Sequence, residues 1–96
     1  MKPIFQIGIL VQDLDRAMKE LGEALDISWG TVGTRTYQDW EFRIVFSREG
    51  PPFIEMIEGP PESPWDASGG SRLDHLQCWT EDMADDSRRF EAAGLT

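Results

Sequence analysis

Residues 6–21 reappear in diverged form as residues 75–90, and this repeat limits the folds open to the chain more than any other feature. A shift of 69 positions lays Gln6-Ile7 on His75-Leu76, Asp13-Leu14 on Asp82-Met83, and Leu21 on Phe90. Each copy reads as a short apolar strand, an acidic helix start and an amphipathic helix. Self-similarity of this kind marks a duplicated supersecondary unit, so the two copies are expected to occupy equivalent places. Gln6 and His75 then become structural counterparts, each leading its strand. The second copy stops just past its helix at Gly94-Leu95-Thr96, so one full unit and the opening of another are expected.

Between the copies the apolar pattern is that of strands. Phe5 to Val11 is rich in Ile, Leu and Val, with Ile7, Ile9 and Val11 on one face and Gln6, Gly8 and Leu10 on the other. Asp13 or Asp15 can cap the following helix, because a carboxylate there accepts a free backbone N–H and favours the helix dipole. Leu14, Ala17, Met18, Leu21, Ala24 and Leu25 give that helix one apolar stripe. Asp26 to Gly33 reads as an exit and turn, with Gly30 and Gly33 as breakers. Strands are expected over residues 29–37, 41–47 and 53–57, then a Pro- and Gly-rich loop over 59–70 that Trp65 pins. Asp74 to Thr80 reads as a strand and Met83 to Ala93 as a helix ended by Gly94. The order is βαβββ, a loop, then βα, an α+β arrangement. The division is a first module over 1–58, a linking loop over 59–72 and a partial second module over 73–96, together one domain.

Composition narrows the function classes. Eighteen acidic against nine basic residues give a net charge of −9, which argues against a nucleic-acid backbone as partner. No apolar run approaches the roughly 20 residues of a membrane helix. Met1-Lys2-Pro3-Ile4-Phe5 leads directly into strand-like sequence rather than a signal peptide. A single cysteine, Cys78, excludes an internal disulfide and fits a reducing, cytoplasmic setting. Cys78 alternates with Leu76 and Thr80 away from His75, so it is expected in the core.

Three positions carry chemistry. Gln6 and His75 lead their strands, and Glu55 interrupts the apolar run Phe53-Ile54-Glu55-Met56-Ile57. An ionised carboxylate in such a run costs several kcal/mol unless it is paired or metal-bound. Taken singly, a lone His at a strand start is ordinarily hydrogen-bonded or exposed, a lone Glu belongs to a solvated face, and Gln6 signifies little.

A family resemblance joins the three. Ile7-Gly8-Ile9-Leu10-Val11-Gln12-Asp13-Leu14-Asp15-Arg16-Ala17 resembles the opening of a vicinal oxygen chelate domain. That superfamily includes glyoxalases, methylmalonyl-CoA epimerases, extradiol dioxygenases and bleomycin-resistance proteins. Phe53-Ile54-Glu55-Met56-Ile57-Glu58-Gly59-Pro60 resembles its fourth strand and turn. Leu73-Asp74-His75-Leu76-Gln77-Cys78-Trp79-Thr80-Glu81-Asp82-Met83 resembles the start of its second module. The resemblance covers essentially the whole chain and is nearest to glyoxalase-like members. It implies a cupped mixed sheet with helices on the outer face.

It also implies a site. In metal-binding members the first and fourth strands of each module supply the ligands, which maps Gln6, Glu55 and His75 onto three of four positions. Gln6 departs from the commoner His, and the fourth ligand belongs to a strand beyond this sequence, so the chain resembles a form truncated in its second module. Oxygen donors with one imidazole suit a divalent ion such as Zn, Ni, Mn, Co or Fe(II). The implied activity is that of a lyase or isomerase on a small carbonyl substrate, with Glu55 as base. The alternatives are a non-catalytic binder of a drug-like or aromatic cation, using Trp29, Trp40, Trp65 and Trp79, or an inactive remnant. The unpaired edges of a partial sheet imply a homodimer in which a partner completes it, and Glu58, Glu62 and Asp74 are equally open as a further ligand.

Overall fold

A computed structural model describes residues 3–79 and 83–93. Its elements are β1 (Ile4–Leu10), α1 (Leu14–Leu25), β2 (Gly33–Tyr37), β3 (Trp40–Phe46), β4 (Phe53–Glu58), β5 (Arg72–Cys78) and α2 (Met83–Ala92). The five strands form one mixed sheet in the order β2-β3-β4-β1-β5. β1 runs parallel to β4 and antiparallel to β5, so the strand of the second copy lies beside the strand of the first. Thr80 and Gly94 of the expected boundaries lie outside the described residues.

Strand alternation divides the core between the two sheet faces. Val11, Leu14, Val45 and Met56 are buried on one side, where Ala17, Met18 and Leu21 of α1 pack with Ile9, Trp29 and Ile54. Leu10, Ile44, Ile57 and Ala67 are buried on the other, covered by Phe42, Phe46 and Trp65. α1 therefore occupies the face opposite Gln6, Gly8 and Leu10. Its start is doubly satisfied: Asp13 Oδ1 accepts from the Arg16 N–H at 3.1 Å, and Glu58 Oε2 from the Leu14 N–H at 2.7 Å. Asp15 instead meets Arg43 at 3.1 Å.

α1 ends at Leu25, at the expected exit, because Asp26, not a glycine, takes the left-handed conformation (φ 56°) and sends its N–H to the Gly22 carbonyl. Other features differ from the sequence expectation for physical reasons. Leu25 is 59% exposed, beyond the apolar stripe. Gly33 is the first residue of β2 rather than a breaker, and Trp29 makes only a single bridge to Ser47. Cys78 is half-buried, not core, because β5 is an edge strand beside β1, with Leu73 and Leu76 exposed.

Trp65 does pin the loop. Its ring lies 4.2 Å from that of Phe42 and meets Tyr37 and Trp40 edge-on. Gly59 makes the return possible, since a Cβ there would sit 2.6 Å from Trp65 Cβ. Trp65→Ala is expected to cost about 2 kcal/mol in urea denaturation, below the ~3–5 of a fully buried Trp because part of the ring already meets water.

Candidate functional site

The parallel register sets Gly8 opposite Glu55, and the antiparallel register sets Gly8 opposite His75. Glu55 and His75 thus flank one residue that has no side chain, on the face away from α1. Gln6, two residues before Gly8, projects on the same face. The three side chains meet there. Gln6 Nε2 donates to Glu55 Oε2, and His75 Nε2 stands 3.8 Å from Glu55 Oε1. The imidazole covers Gly8: a Cβ on that glycine would fall 2.3 Å from His75 Cε1 and 2.6 Å from Nε2. Any other residue at position 8 would occupy the space the ring now fills.

The environment is partly dry. Gln6 and Glu55 are each 8% exposed, whereas the His75 side chain is 38% exposed at the mouth. Burial pushes the Glu55 carboxyl above the usual carboxylate range, opposed by the His75 imidazole, the Gln6 hydrogen bond and the more distant Arg35. Phe46 pairs with Glu55 across β3 and β4, and Ile44 with Ile57, so the carboxyl is bordered by apolar residues on its β3 side. A groove of about 310 Å³ lined by Ile9, Val11, Leu21, Ala24 and Met56 lies on the helix side of the sheet, away from these groups.

Asp74 is the residue that sequence reasoning could not select. Its Oδ2 lies 2.7 Å from His75 Nδ1. Glu58 is committed to the α1 N-terminus and faces Arg43 at 3.6 Å. Glu62 lies on the exposed loop, where its N–H donates to Asp66. The four tryptophans do not converge. Trp29 donates to the Met18 carbonyl on the helix side, Trp79 stacks edge-on against Phe5, and only Trp40 and Trp65 share a cluster.

As a donor set, Glu55 oxygens, the Gln6 amide and the His75 imidazole are compatible with a borderline or hard divalent ion. Among the described residues no group of three or more His, Cys, Asp or Glu side chains is arranged around a common point, so a third donor would have to be the Gln6 amide oxygen. Which amide atom of Gln6 faces the carboxylate follows from the hydrogen bond assigned there, and a half-turn of the amide exchanges donor for acceptor.

Sequence comparison now gives the class. Residues 5–96 match the Glyoxalase/Bleomycin resistance protein/Dioxygenase superfamily, and the chain belongs to it. No curated protein sequence matches. Among solved structures, a triple mutant of 4-hydroxymandelate synthase from Streptomyces coelicolor superposes with a TM-score of 0.74 at 15% identity, over 97% of this chain and 31% of that one. Methylmalonyl-CoA epimerase from Mycobacterium tuberculosis gives 0.60 at 19% identity, over 96% and 64%. A point variant of the Streptomyces coelicolor methylmalonyl-CoA epimerase, in complex with 2-nitronate-propionyl-CoA, gives 0.64 at 17%, over 100% and 74%. The chain spans about a third of the synthase and under two-thirds of the mycobacterial epimerase. At these identities the likeness is one of fold.

Proposed function

We propose that this protein is a divalent-metal-dependent lyase or isomerase of glyoxalase-like type, acting on a small carbonyl substrate, with residues 1–96 working as one domain. The observation that carries this reading is the meeting of Gln6, Glu55 and His75 around one buried carboxyl above Gly8. Glu55, His75 and Gln6 would hold the ion, which when bound supplies Lewis-acid polarisation of a substrate carbonyl. Glu55 would also take the substrate α-proton. Its raised pKa brings it closer to that of a neutral-pH base than an ordinary carboxylate is. Gln6 steadies the carboxyl by its hydrogen bond, and the neighbouring Phe46 and Ile57 restrict water around it.

β5 is an edge strand, and its Leu73 and Leu76, with Trp79 just after it, are each more than half exposed. This supports a homodimer in which a second copy covers that edge. No helix among the described residues is long and apolar enough to cross a membrane, and the free thiol of Cys78 suits a reducing cytoplasm.

A second reading, a small-molecule binder without catalysis, is favoured by the Tyr37, Trp40, Phe42 and Trp65 rings gathered on the Glu55 side of the sheet. The test is elemental analysis and calorimetric titration of the purified chain with Zn, Ni and Mn, with its solution mass measured in parallel. About one ion per chain in a dimer is expected, lost when Glu55→Ala and His75→Ala are combined. Unchanged metal binding in that double variant removes the basis of the assignment. Tight binding of a flat aromatic cation with no metal uptake supports the second reading.

A further inference from the structure

Neighbouring residues of a regular strand point to opposite faces, yet Asp74 and His75 touch through their side chains. The pairing of β1 with β5 explains how. Gln6 pairs with Gln77, Ile7 with Leu76 and Gly8 with His75, one step at a time. The next pair is Ile9 with Leu73, so Asp74 has no partner on β1 and is the extra residue of a β-bulge. A bulge bends its strand and re-aims side chains, and such bulges are common beside functional groups. Here it turns the Asp74 carboxylate toward the ring, leaving Oδ2 at 2.7 Å from Nδ1.

The contact has a chemical consequence. A carboxylate oxygen can only accept, so the pair is a hydrogen bond only if Nδ1 carries the proton. A neutral imidazole holds one N–H, which leaves Nε2 with its lone pair exposed. Nε2 faces Glu55 Oε1 at 3.8 Å, while Gln6 occupies the other carboxylate oxygen. A lone pair set against a carboxylate oxygen is favourable only with a proton or a metal ion in the space between them.

We infer that Asp74 is a positioning residue: through the bulge it fixes His75 in the Nδ1–H tautomer and presents the Nε2 lone pair to the space in front of Glu55. Its importance for ion binding rests on the function proposed above, whereas the tautomer can be read without any ion. Second-shell partners of ligating histidines alter metal affinity by about 10–100-fold. Asp74 is exposed, so about 10-fold is expected here.

The chain contains one histidine, so His75 gives the only imidazole signals. Side-chain 15N shifts of the metal-free protein, taken where the ring is neutral, should report the Nδ1–H form. Asp74→Ala should move the population to Nε2–H and weaken zinc binding about 10-fold. Asp74→Asn keeps an acceptor oxygen and should preserve both the tautomer and the affinity. Wild-type protein with the proton on Nε2 overturns the inference without need of any variant, as does Asp74→Ala retaining the Nδ1–H form. Wild-type protein that takes up no zinc, nickel or manganese overturns the metal assignment instead. In that case the nitrogen shifts still decide whether Asp74 sets the tautomer.

Discussion

Gly8→Val is expected to abolish measurable zinc binding while the chain remains folded. The first added carbon would lie 2.3–2.6 Å from three atoms of the His75 ring, closer than non-bonded carbon and nitrogen can approach. The imidazole must then leave the position over Gly8, and Nε2 leaves the neighbourhood of Glu55 with it. The ring cannot simply slide aside, because the hydrogen bond from Nδ1 to Asp74 ties it in place. Stability should fall by about 1–3 kcal/mol, the usual cost of overpacking, and toward the lower end because β5 is an edge strand that can shift outward. Gly33→Ala is the matching control. A Cβ there meets Ile44 Cγ2 at 3.6 Å, an ordinary contact, so neither stability nor zinc binding should change appreciably. Titration with a competing chelator, beside urea denaturation of both variants, provides the check. A Gly8→Val protein that binds zinc like the wild type shows that the ring does not need this cradle.

Glu55→Gln should move stability and metal binding in opposite directions. The Glu55 carboxyl is buried and its pKa is raised, chiefly by loss of solvation. Between its unfolded value and its higher folded value, the native state therefore binds more protons than the unfolded chain. By linkage, the contribution of Glu55 to stability falls as pH climbs through that window and stays unfavourable above it. An amide at position 55 carries no charge to desolvate. Its oxygen can still accept from Gln6, and its NH2 can donate to the Nε2 lone pair of His75. The variant should be more stable than wild type by on the order of 1 kcal/mol near neutral pH, with the gain vanishing in acid. Zinc uptake should drop sharply, since an amide is a far poorer ligand than a carboxylate. Denaturation of the metal-free proteins across the pH range reads the sign directly. A variant less stable than wild type at neutral pH contradicts the desolvation account.

The parts of this arrangement legible from sequence were those fixed by local pattern. The repeat and the Ile-Leu-Val run placed β1 and the strand of the second copy, and the apolar stretch around Glu55 placed β4. Strand parity also put Gln6 and Gly8 on the face opposite Ile9 and Val11. What pattern alone could not give depends on pairing. The selection of Asp74 over Glu58 and Glu62 needs the β1–β5 register, because only the bulge brings Asp74 to the ring. Separation of the tryptophans has the same origin: Trp29 lies on the α1 side, whereas Trp65 returns on a loop to the other face. The exit of α1 at Asp26 was legible where the apolar stripe stops, although a left-handed Asp26 rather than a glycine makes it, whereas Gly33, read as a breaker, opens β2.

The order β4-β1-β5 gives the cluster a mechanical meaning as well. Its three side chains come from three adjacent strands, β1 and β4 before the linking loop and β5 after it. β5 has no buried apolar side chain of its own, so its backbone amides are expected to exchange ahead of those of the buried strands. A ligand bridging Glu55 and His75 would act as a rivet across that seam. Each tenfold excess of ligand over its dissociation constant would add about 1.4 kcal/mol to the cost of opening. Amide hydrogen exchange along β5 would slow in proportion, while exchange within β3 would keep its own rate. The seam between the two copies would then gain cohesion from occupancy rather than from packing.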